Sequence, residues 1–123
     1  MPVLGFDHVN IRTTNVQASA QFYIDLLDFE FRHGPAVMGQ RGNWLCDKSG
    51  NAIIHFRVLE AGAGSTGPID HVALRCAGKA DVLQRLQDRQ IKFSMAEGLT
   101  PGITQIFLSD PHGIPLELTF HEE

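Results

Sequence analysis

Histidine and carboxylate side chains recur at matching positions in the two halves of the chain. The run Asp7-His8-Val9 returns 63 residues later as Asp70-His71-Val72. A second pair of runs has the same offset: Asp47–Gly50 and Asp110–Gly113. Each run of this second pair precedes an apolar segment with one polar side chain of interest, His55 in the first half and Glu117 in the second. The repeat indicates two copies of one structural unit, each with possible metal ligands near its beginning and its end.

Imidazole and carboxylate ligands suit borderline divalent ions, namely zinc, nickel, iron, cobalt and manganese. Two or three histidines with one carboxylate leave open positions on a five- or six-coordinate ion, as a catalytic site requires. A small substrate with two adjacent oxygens can chelate such an ion, which then acts as a Lewis acid and stabilises an enolate or alkoxide as it forms. Glu117, between two leucines, is the one carboxylate in the set and serves either as a ligand or as a base.

The alternation of polar and apolar residues predicts the same order of elements in both halves: strand, helix, strand, strand, strand. In the first half, a strand over Gly5–Arg12 precedes a helix that we expect to begin with a capping box formed by Thr14 and Gln17. The run His33-Gly34-Pro35 is expected to end the next strand. The predicted fold class is therefore α+β, with two tandem βαβββ modules.

A length of 123 residues corresponds to one domain of ordinary size, which we expect to span residues 1–123. Module 1 covers about residues 1–60 and module 2 about residues 69–123. Residues 61–68 are rich in glycine and form the predicted linker, since such a composition makes a flexible connection.

Composition argues against several classes of function. The net charge of −4 gives no electrostatic reason to bind nucleic acid, which requires clustered lysines and arginines. No stretch is long and apolar enough to span a membrane, and the N-terminus lacks the features of a signal peptide. Cys46 and Cys76 have no CxxC spacing and are expected to be reduced thiols. We therefore expect a cytoplasmic protein that binds neither nucleic acid nor a membrane.

Several of these features together resemble the vicinal oxygen chelate superfamily. Its members include glyoxalase I, bleomycin-resistance proteins, fosfomycin-resistance thiol transferases and extradiol ring-cleaving dioxygenases. The resemblance rests on the duplicated unit, the paired Asp-His-Val starts, Phe22-Tyr23 in the first helix, and Asp110–Gly113 followed by Leu116-Glu117-Leu118. It covers essentially the whole chain and is specific for the superfamily rather than for one member. It implies a glyoxalase-like mixed sheet curled around one divalent metal ion.

In the superfamily, the metal ligands come from the first and last strands of each module. Carried over position by position, the implied ligands are His8, His55, His71 and Glu117. His55 fits imperfectly, because aligning Gly50 with Gly113 places Ile54 rather than His55 opposite Glu117. A slip of one residue reverses the face of every side chain in a strand. Either a bulge or a longer turn directs His55 inward, or His55 faces away and three protein ligands remain.

Six further residues are candidates for the lining of a substrate site: Asn10, Arg12, Trp44, Arg75, Gln105 and Phe107. Arg12 and Arg75 either hold an anionic group of the substrate or are surface arginines near strand ends. Trp44 either forms an apolar wall for the substrate or belongs to the core.

The resemblance leaves several functions open. The first is a metal-dependent lyase or isomerase that acts on a small substrate with vicinal oxygens through a metal-stabilised oxyanion. The second is an extradiol dioxygenase-like oxidoreductase, since His8, His71 and Glu117 have the types and order of a two-histidine-one-carboxylate iron site. A fosfomycin thiol transferase would use the same three ligands. The last is a metal-free drug-binding resistance protein, against which the three ligand residues argue. We also expect a homodimer, since modules of this superfamily often pair between chains.

Overall fold

The computed structural model describes residues 2–37, 40–58, 66–98 and 101–121 and contains two compact units, Met1–Ala63 and Gly64–Glu123. Module 1 contains β1 (Val9–Thr13), α1 (Val16–Leu27), β2 (Glu30–Val37), β3 (Gln40–Cys46) and β4 (Ala52–Val58). Module 2 contains β5 (Val72–Cys76), α2 (Lys79–Asp88), β6 (Ser94–Glu97), β7 (Ile103–Ser109) and β8 (Pro115–His121). The predicted α+β class with two tandem βαβββ modules is confirmed. Most of the predicted linker, residues 61–65, lies outside the described residues.

Each module has its own four-stranded mixed sheet, with the strand orders β1-β4-β3-β2 and β5-β8-β7-β6. The first and last strands of each module are parallel neighbours, and the other pairs are antiparallel. Asn10 pairs with His55 in module 1, and Ala73 pairs with Glu117 in module 2. This topology brings the beginning and the end of each module together, which is where the sequence carries its candidate ligands.

The last strands show why one face of each sheet is available for a site. Leu116, Leu118 and Phe120 of β8 are buried, whereas Glu117 and Thr119 between them are half-buried. In the same way, β4 buries alternate residues and leaves His55 and Arg57 partly exposed. We call the partly exposed side of each sheet its open face. On the open face of module 1 lie Asn10, Arg12, Gly42, Trp44, His55 and Arg57. On that of module 2 lie Ala73, Arg75, Gln105, Phe107, Glu117 and Thr119.

The start of α1 differs from the expected capping box. The N-cap is Asn15 rather than Thr14: its backbone is extended, and its side-chain oxygen accepts a hydrogen bond from the amide of Ala18 at 3.0 Å. Thr13 fixes the backbone just before the helix, because its hydroxyl contacts that of Ser19 at 2.8 Å and accepts a hydrogen bond from the amide of Asn15 at 3.1 Å. The helix then buries Tyr23 and Leu26 against the sheet. Neither helix in the described part of the chain is long and apolar enough to cross a membrane.

The strand β2 is longer than predicted, because it continues through His33-Gly34-Pro35. It is an edge strand, so one side of its backbone needs no partner and the missing N–H of Pro35 is tolerated. Gly34 faces Gly42 of β3 and lies directly beneath the indole of Trp44. A Cβ at Gly34 would come within 2.4 Å of that ring, so the close approach requires glycine. The glycine that suggested a break thus serves packing instead.

Cys46 and Cys76 are both free thiols in the structure, as expected. Cys46 is buried in β3. Burial raises the pKa of the Cys76 thiol from 9.0 to about 11. A thiol is reactive as the thiolate, so Cys76 is a poor nucleophile near neutral pH and is better explained as packing.

Candidate functional site

A bulge in β4 decides the direction of His55. Leu45 pairs with Ile54, but the next residue of β3, Cys46, pairs with Ala52, so Ile53 is an extra residue in β4. The corresponding part of module 2 is regular. The extra residue explains why aligning the turns misplaces His55 by one position. His55 therefore occupies in module 1 the position that Glu117 occupies in module 2.

Removal of the extra residue should leave His55 on the open face. After deletion of Ile53, the segment between the turn and His55 has as many residues as the segment between the turn and Glu117 in module 2. The pairing of β3 with β4 then becomes regular, and the side chain of His55 stays on the open face. We expect a folded protein whose response to added divalent metal ions, measured by calorimetric titration, equals that of the parent. In contrast, an alanine inserted between Ile54 and His55 should turn His55 to the buried face and weaken binding. Equal behaviour of the two variants would contradict this assignment of register.

His8 and His55 form an aromatic stack on the open face of module 1. Their ring centroids are 3.8 Å apart, and the indole of Trp44 follows at 5.0 Å from His55. His8 Nδ1 lies 2.6 Å from Oδ1 of Asp7, which leaves its Nε2 for another partner. His55 Nε2 lies 3.1 Å from the carbonyl oxygen of Ala52 and donates to it, which leaves its Nδ1 as the free nitrogen.

The pKa of His55 is lowered, first because the ring is partly buried and second because His8 lies beside it. Both effects disfavour the charged imidazolium. His55 is therefore held in the neutral form, which is the form that binds metal ions.

In module 2, His71 and Glu117 point at one another. The distance from His71 Nε2 to Glu117 Oε1 is 3.2 Å, and His71 Nδ1 lies 2.7 Å from Oδ2 of Asp70. The other carboxylate oxygen of Glu117 accepts hydrogen bonds from the hydroxyl of Thr119 at 2.6 Å and from the amide of Gln105 at 3.1 Å. The Glu117 side chain is 12% exposed, so these donors replace much of its hydration.

Hydrogen bonding and charge move the two pKa values apart. The pKa of Glu117 is lowered, chiefly by the Thr119 hydroxyl and then by Gln105 and the charge of His71, although burial opposes the shift. The pKa of His71 is raised, chiefly by its hydrogen bond to Asp70, against the effect of burial, and further by the charges of Asp70 and Glu117. Near neutral pH, Glu117 is ionised and available as an anionic ligand.

These shifts predict a pH dependence for the metal-free protein. A raised histidine pKa gives stability that is complete below the ordinary value of 6.5 and is lost as the pH rises through the raised value. The lowered pKa of Glu117 adds stability above the ordinary value of 4.5, which is lost only as the pH falls through the lowered value. The His71–Glu117 contribution is thus greatest between pH 4.5 and 6.5.

A His71→Gln variant should therefore lose more unfolding free energy, relative to the parent, at about pH 5.5 than at about pH 8.5. Urea denaturation of the metal-free proteins measures the difference. His121→Gln, which changes an exposed histidine at the end of β8, serves as the control and should show no such pattern. A loss that grows with pH would contradict the assignment.

The donor set of module 2 suits a divalent ion. Atoms at roughly 2.1 Å from a metal and 3.2 Å from each other subtend roughly 100°, which tetrahedral and octahedral sites both accommodate. The carboxylates of Asp7 and Asp70 hold Nδ1 of their histidines, an arrangement that fixes the ring and directs Nε2 to a metal. Within the described ranges, no group of three or more candidate ligands converges. The described structure thus shows a pair of candidate ligands in each module, His8 with His55 and His71 with Glu117.

The residues expected to line a substrate site have different surroundings. Gln105 is bonded to Glu117, and Phe107 lies opposite Glu117 in the ladder. Arg75 is exposed and lies opposite Thr119. In module 1, a cavity of about 240 Å³ is lined by residues that include Asn10, Gly42, Trp44, His55 and Arg57. Arg12 lies on the same open face.

One residue of interest escaped the sequence prediction. Arg57 lies opposite Arg12 on the open face. Its signal was the period of two from His55, but that period could not be applied while the face of His55 was undecided. Thr119 shares the open face with Glu117, as the period of two from Glu117 predicts, and donates to that carboxylate.

Two comparisons with known proteins give matches, one to a family and one to the fold of solved structures. The family model described as the glyoxalase/bleomycin resistance protein/dioxygenase superfamily matches residues 5–118. A glyoxylase/bleomycin resistance protein/dioxygenase domain from Frankia sp. EAN1pec has a TM-score of 0.76 at 19% identity, with 98% of this chain and 94% of that chain covered. A glyoxalase family protein from Enterococcus faecalis has a TM-score of 0.73 at 24% identity, with 97% and 99% covered.

A genomically encoded fosfomycin resistance protein from Listeria monocytogenes is also similar, with a TM-score of 0.72 at 12% identity and coverages of 96% and 93%. At these identities, the likeness to solved structures shows a shared fold. No curated protein matches the chain significantly.

Proposed function

The chain belongs to the glyoxalase/bleomycin resistance protein/dioxygenase superfamily, and from this premise we propose that it is a metal-dependent enzyme of the lyase or isomerase type. The proposed ligands of one divalent ion are His8, His55, His71 and Glu117. The proposed substrate is a small molecule with two adjacent oxygens. When bound, the ion would supply Lewis-acid stabilisation of an oxyanion.

The observation that carries the proposal is the pair of His71 and Glu117, with their side-chain atoms 3.2 Å apart and their other polar atoms already bonded. Asp70 holds one nitrogen of His71, and Thr119 and Gln105 hold one oxygen of Glu117. The remaining nitrogen and the remaining oxygen are the two atoms that lie 3.2 Å apart. Polar groups arranged in this way suit coordination, because the supporting hydrogen bonds fix each ligand in its binding orientation.

Glu117 serves as a ligand in this proposal rather than as the base. A general base works best with a pKa near the operating pH, whereas the pKa of Glu117 is lowered by its three donors. Among the four residues, His55 has the lowered histidine pKa and a free Nδ1, so it is available either to bind the ion or to accept a proton from the substrate.

An extradiol dioxygenase-like oxidoreductase is the second candidate. The observation that favours it is the contact of His55 Nε2 with the carbonyl oxygen of Ala52 and the stacking of that ring on Trp44. If His55 keeps these contacts, the remaining donors are His8, His71 and Glu117, a set typical of non-haem iron. The identity of the bound metal separates the two candidates, since iron indicates oxygen chemistry.

The metal content of the purified protein tests the proposal. Elemental mass spectrometry of protein prepared without chelators or an affinity tag should give about one divalent ion per chain. His71→Ala should lose the ion, whereas His33→Ala, which changes an exposed histidine of β2, should keep it. Absence of metal after incubation with each candidate ion would overturn the enzyme proposal and favour a metal-free drug-binding protein.

We also propose that the protein is a homodimer. Three apolar side chains of the segment that precedes β1 are exposed in the single chain, Val3 by 70%, Leu4 by 99% and Phe6 by 80%. Adjacent exposed apolar residues are typical of surfaces that become buried on association. Sedimentation at micromolar concentration should give a dimer, and a strictly monomeric protein would contradict this proposal.

A further inference from the structure

The two modules offer an internal comparison, because the ladder registers match their positions one by one. Arg12 lies opposite Arg57 in module 1, and the equivalent residues of module 2 are Arg75 and Thr119. In the described part of the chain, only module 1 thus has two arginines at directly opposed positions on its open face. The open faces of the two modules thus differ in charge at this position.

The Arg12–Arg57 pair lacks a partner of opposite charge. Like charges directly opposite on neighbouring strands are destabilising. Arg32 and Arg85 have carboxylate partners at 2.7 and 2.8 Å, in Glu30 and Asp81. Among the described residues, no carboxylate contacts Arg12 or Arg57, although the chain has an excess of acidic residues. The pair therefore carries positive charge that the described fold does not neutralise.

Module 1 also has space next to Arg57. Gly42 and Gly34 face each other on β3 and β2, whereas Gln105 and Ala96 occupy the equivalent positions of module 2. The cavity of about 240 Å³ lies beside this glycine pair and reaches both Arg57 and His55, with Trp44 as an aromatic wall. Its volume is below the roughly 300–1,000 Å³ of pockets for drug-sized ligands, so it suits a smaller molecule.

The spacing between the arginines and His55 along the strands sets the distance between the two ends of that molecule. Arg57 lies two residues beyond His55, and Arg12 lies two residues beyond Asn10 on the parallel neighbour. At about 3.3 Å per residue, the backbones of both arginines are about 7 Å along the sheet from that of His55. Guanidinium groups bind carboxylates with two parallel hydrogen bonds.

We propose that Arg12 and Arg57 form a carboxylate clamp, so that the substrate is a small organic carboxylate whose vicinal oxygens lie about 7 Å from its carboxylate. This inference rests on the proposed function for the position of the vicinal oxygens. The clamp, the cavity and Trp44 all lie in module 1. Module 1 would thus select the substrate by its charge, a role that Arg75 and Thr119 of module 2 do not duplicate.

The test uses two probes of the same shape, 3,4-dihydroxybenzoate and the neutral 3,4-dihydroxybenzamide. Both carry vicinal oxygens at one end of a planar ring, and they differ in charge at the other end. Calorimetric titration of the full-length chain should show at least about tenfold tighter binding of the acid, because a charge-assisted hydrogen bond is stronger than a neutral one. Arg12→Gln and Arg57→Gln should each remove most of this preference. Arg89→Gln, which changes an exposed arginine after α2, is the matched control and should keep it.

The titrations are run with metal-loaded and with metal-free protein, so that the two proposals fail in different ways. If the acid and the amide bind equally to the parent, or if the Arg89 variant loses the preference as the other two do, the clamp is wrong. If the metal-loaded and metal-free proteins bind both probes equally, the proposed function is wrong. A preference for the acid that depends on Arg12 and Arg57 supports the clamp in either metal state.

Discussion

A Glu117→Gln variant should bind divalent ions at least about 100-fold more weakly than the parent and should remain folded. Loss of a supporting residue around a metal site costs roughly 10–100-fold in affinity, so loss of the anionic ligand itself should cost at least the upper value. Glutamine has nearly the same shape, and its side-chain oxygen still accepts from the hydroxyl of Thr119. Calorimetric metal titration gives the affinity, and thermal unfolding of the metal-free protein reports on the fold.

Glu97→Gln is the matched control, because Glu97 is an exposed glutamate at the end of β6 in the same module. It removes the same charge from the chain without touching His71 or Glu117. Equal metal affinity of the parent and the Glu117 variant would show that the His71–Glu117 pair is an ordinary ion pair of the fold.

A Leu118→Ala variant should lose stability and keep the parent metal affinity, in contrast to the Glu117 variant. Leu118 is the next residue of β8, its side chain is fully buried, and its neighbours Leu116 and Phe120 are buried on the same face. Truncation of a buried leucine costs about 2–5 kcal/mol of unfolding free energy through lost burial and the cavity that remains. Urea denaturation measures this loss, and we expect the folded fraction of the variant to keep the parent metal affinity.

Ser109→Ala, at the exposed end of β7, is the control for this second variant and should change the unfolding free energy by less than about 0.5 kcal/mol. Adjacent residues of β8 should thus separate binding from stability, because the strand turns them to opposite faces. A Leu118 variant with parent stability would contradict the assignment of the buried face of module 2.

The repeated Asp-His-Val run indicated the duplication, and the alternation of polar and apolar residues in each copy was sufficient to predict the βαβββ order and the fold class. It was not sufficient for His55. The segment from the turn to His55 is one residue longer than the segment from the turn to Glu117. The extra residue, Ile53, forms a bulge in β4 where this strand pairs with β3. A pattern along one strand carries no information about an extra residue relative to its neighbour.

The length of β2 shows a similar limit. His33-Gly34-Pro35 has the composition of a break, and the sequence gives no sign that β2 lies at the edge of its sheet, where proline is tolerated. Gly34 is also required by the ring of Trp44, a residue from another strand. Contacts between strands, rather than local preference, decided both features.

Only part of the hydrogen-bond network around Glu117 could be predicted from the sequence. Gln105 was predicted to lie on the open face and does so, but its bond to Glu117 depends on the β7–β8 register. Arg57 was missed because its face follows from that of His55. The sequence therefore indicated the candidate residues, whereas the structure supplied the partners that orient them.

The most direct test of the central proposal, one metal ion held by the ligands of both modules, is a titration with Co²⁺ followed by its visible absorption. The parent should saturate at about one ion per chain. His8→Ala in module 1 and His71→Ala in module 2 should each abolish tight binding and change the spectrum, because each removes a ligand of the same ion. If either variant still binds one ion per chain with the parent spectrum, the module it alters does not ligate the metal, and the site as proposed is wrong.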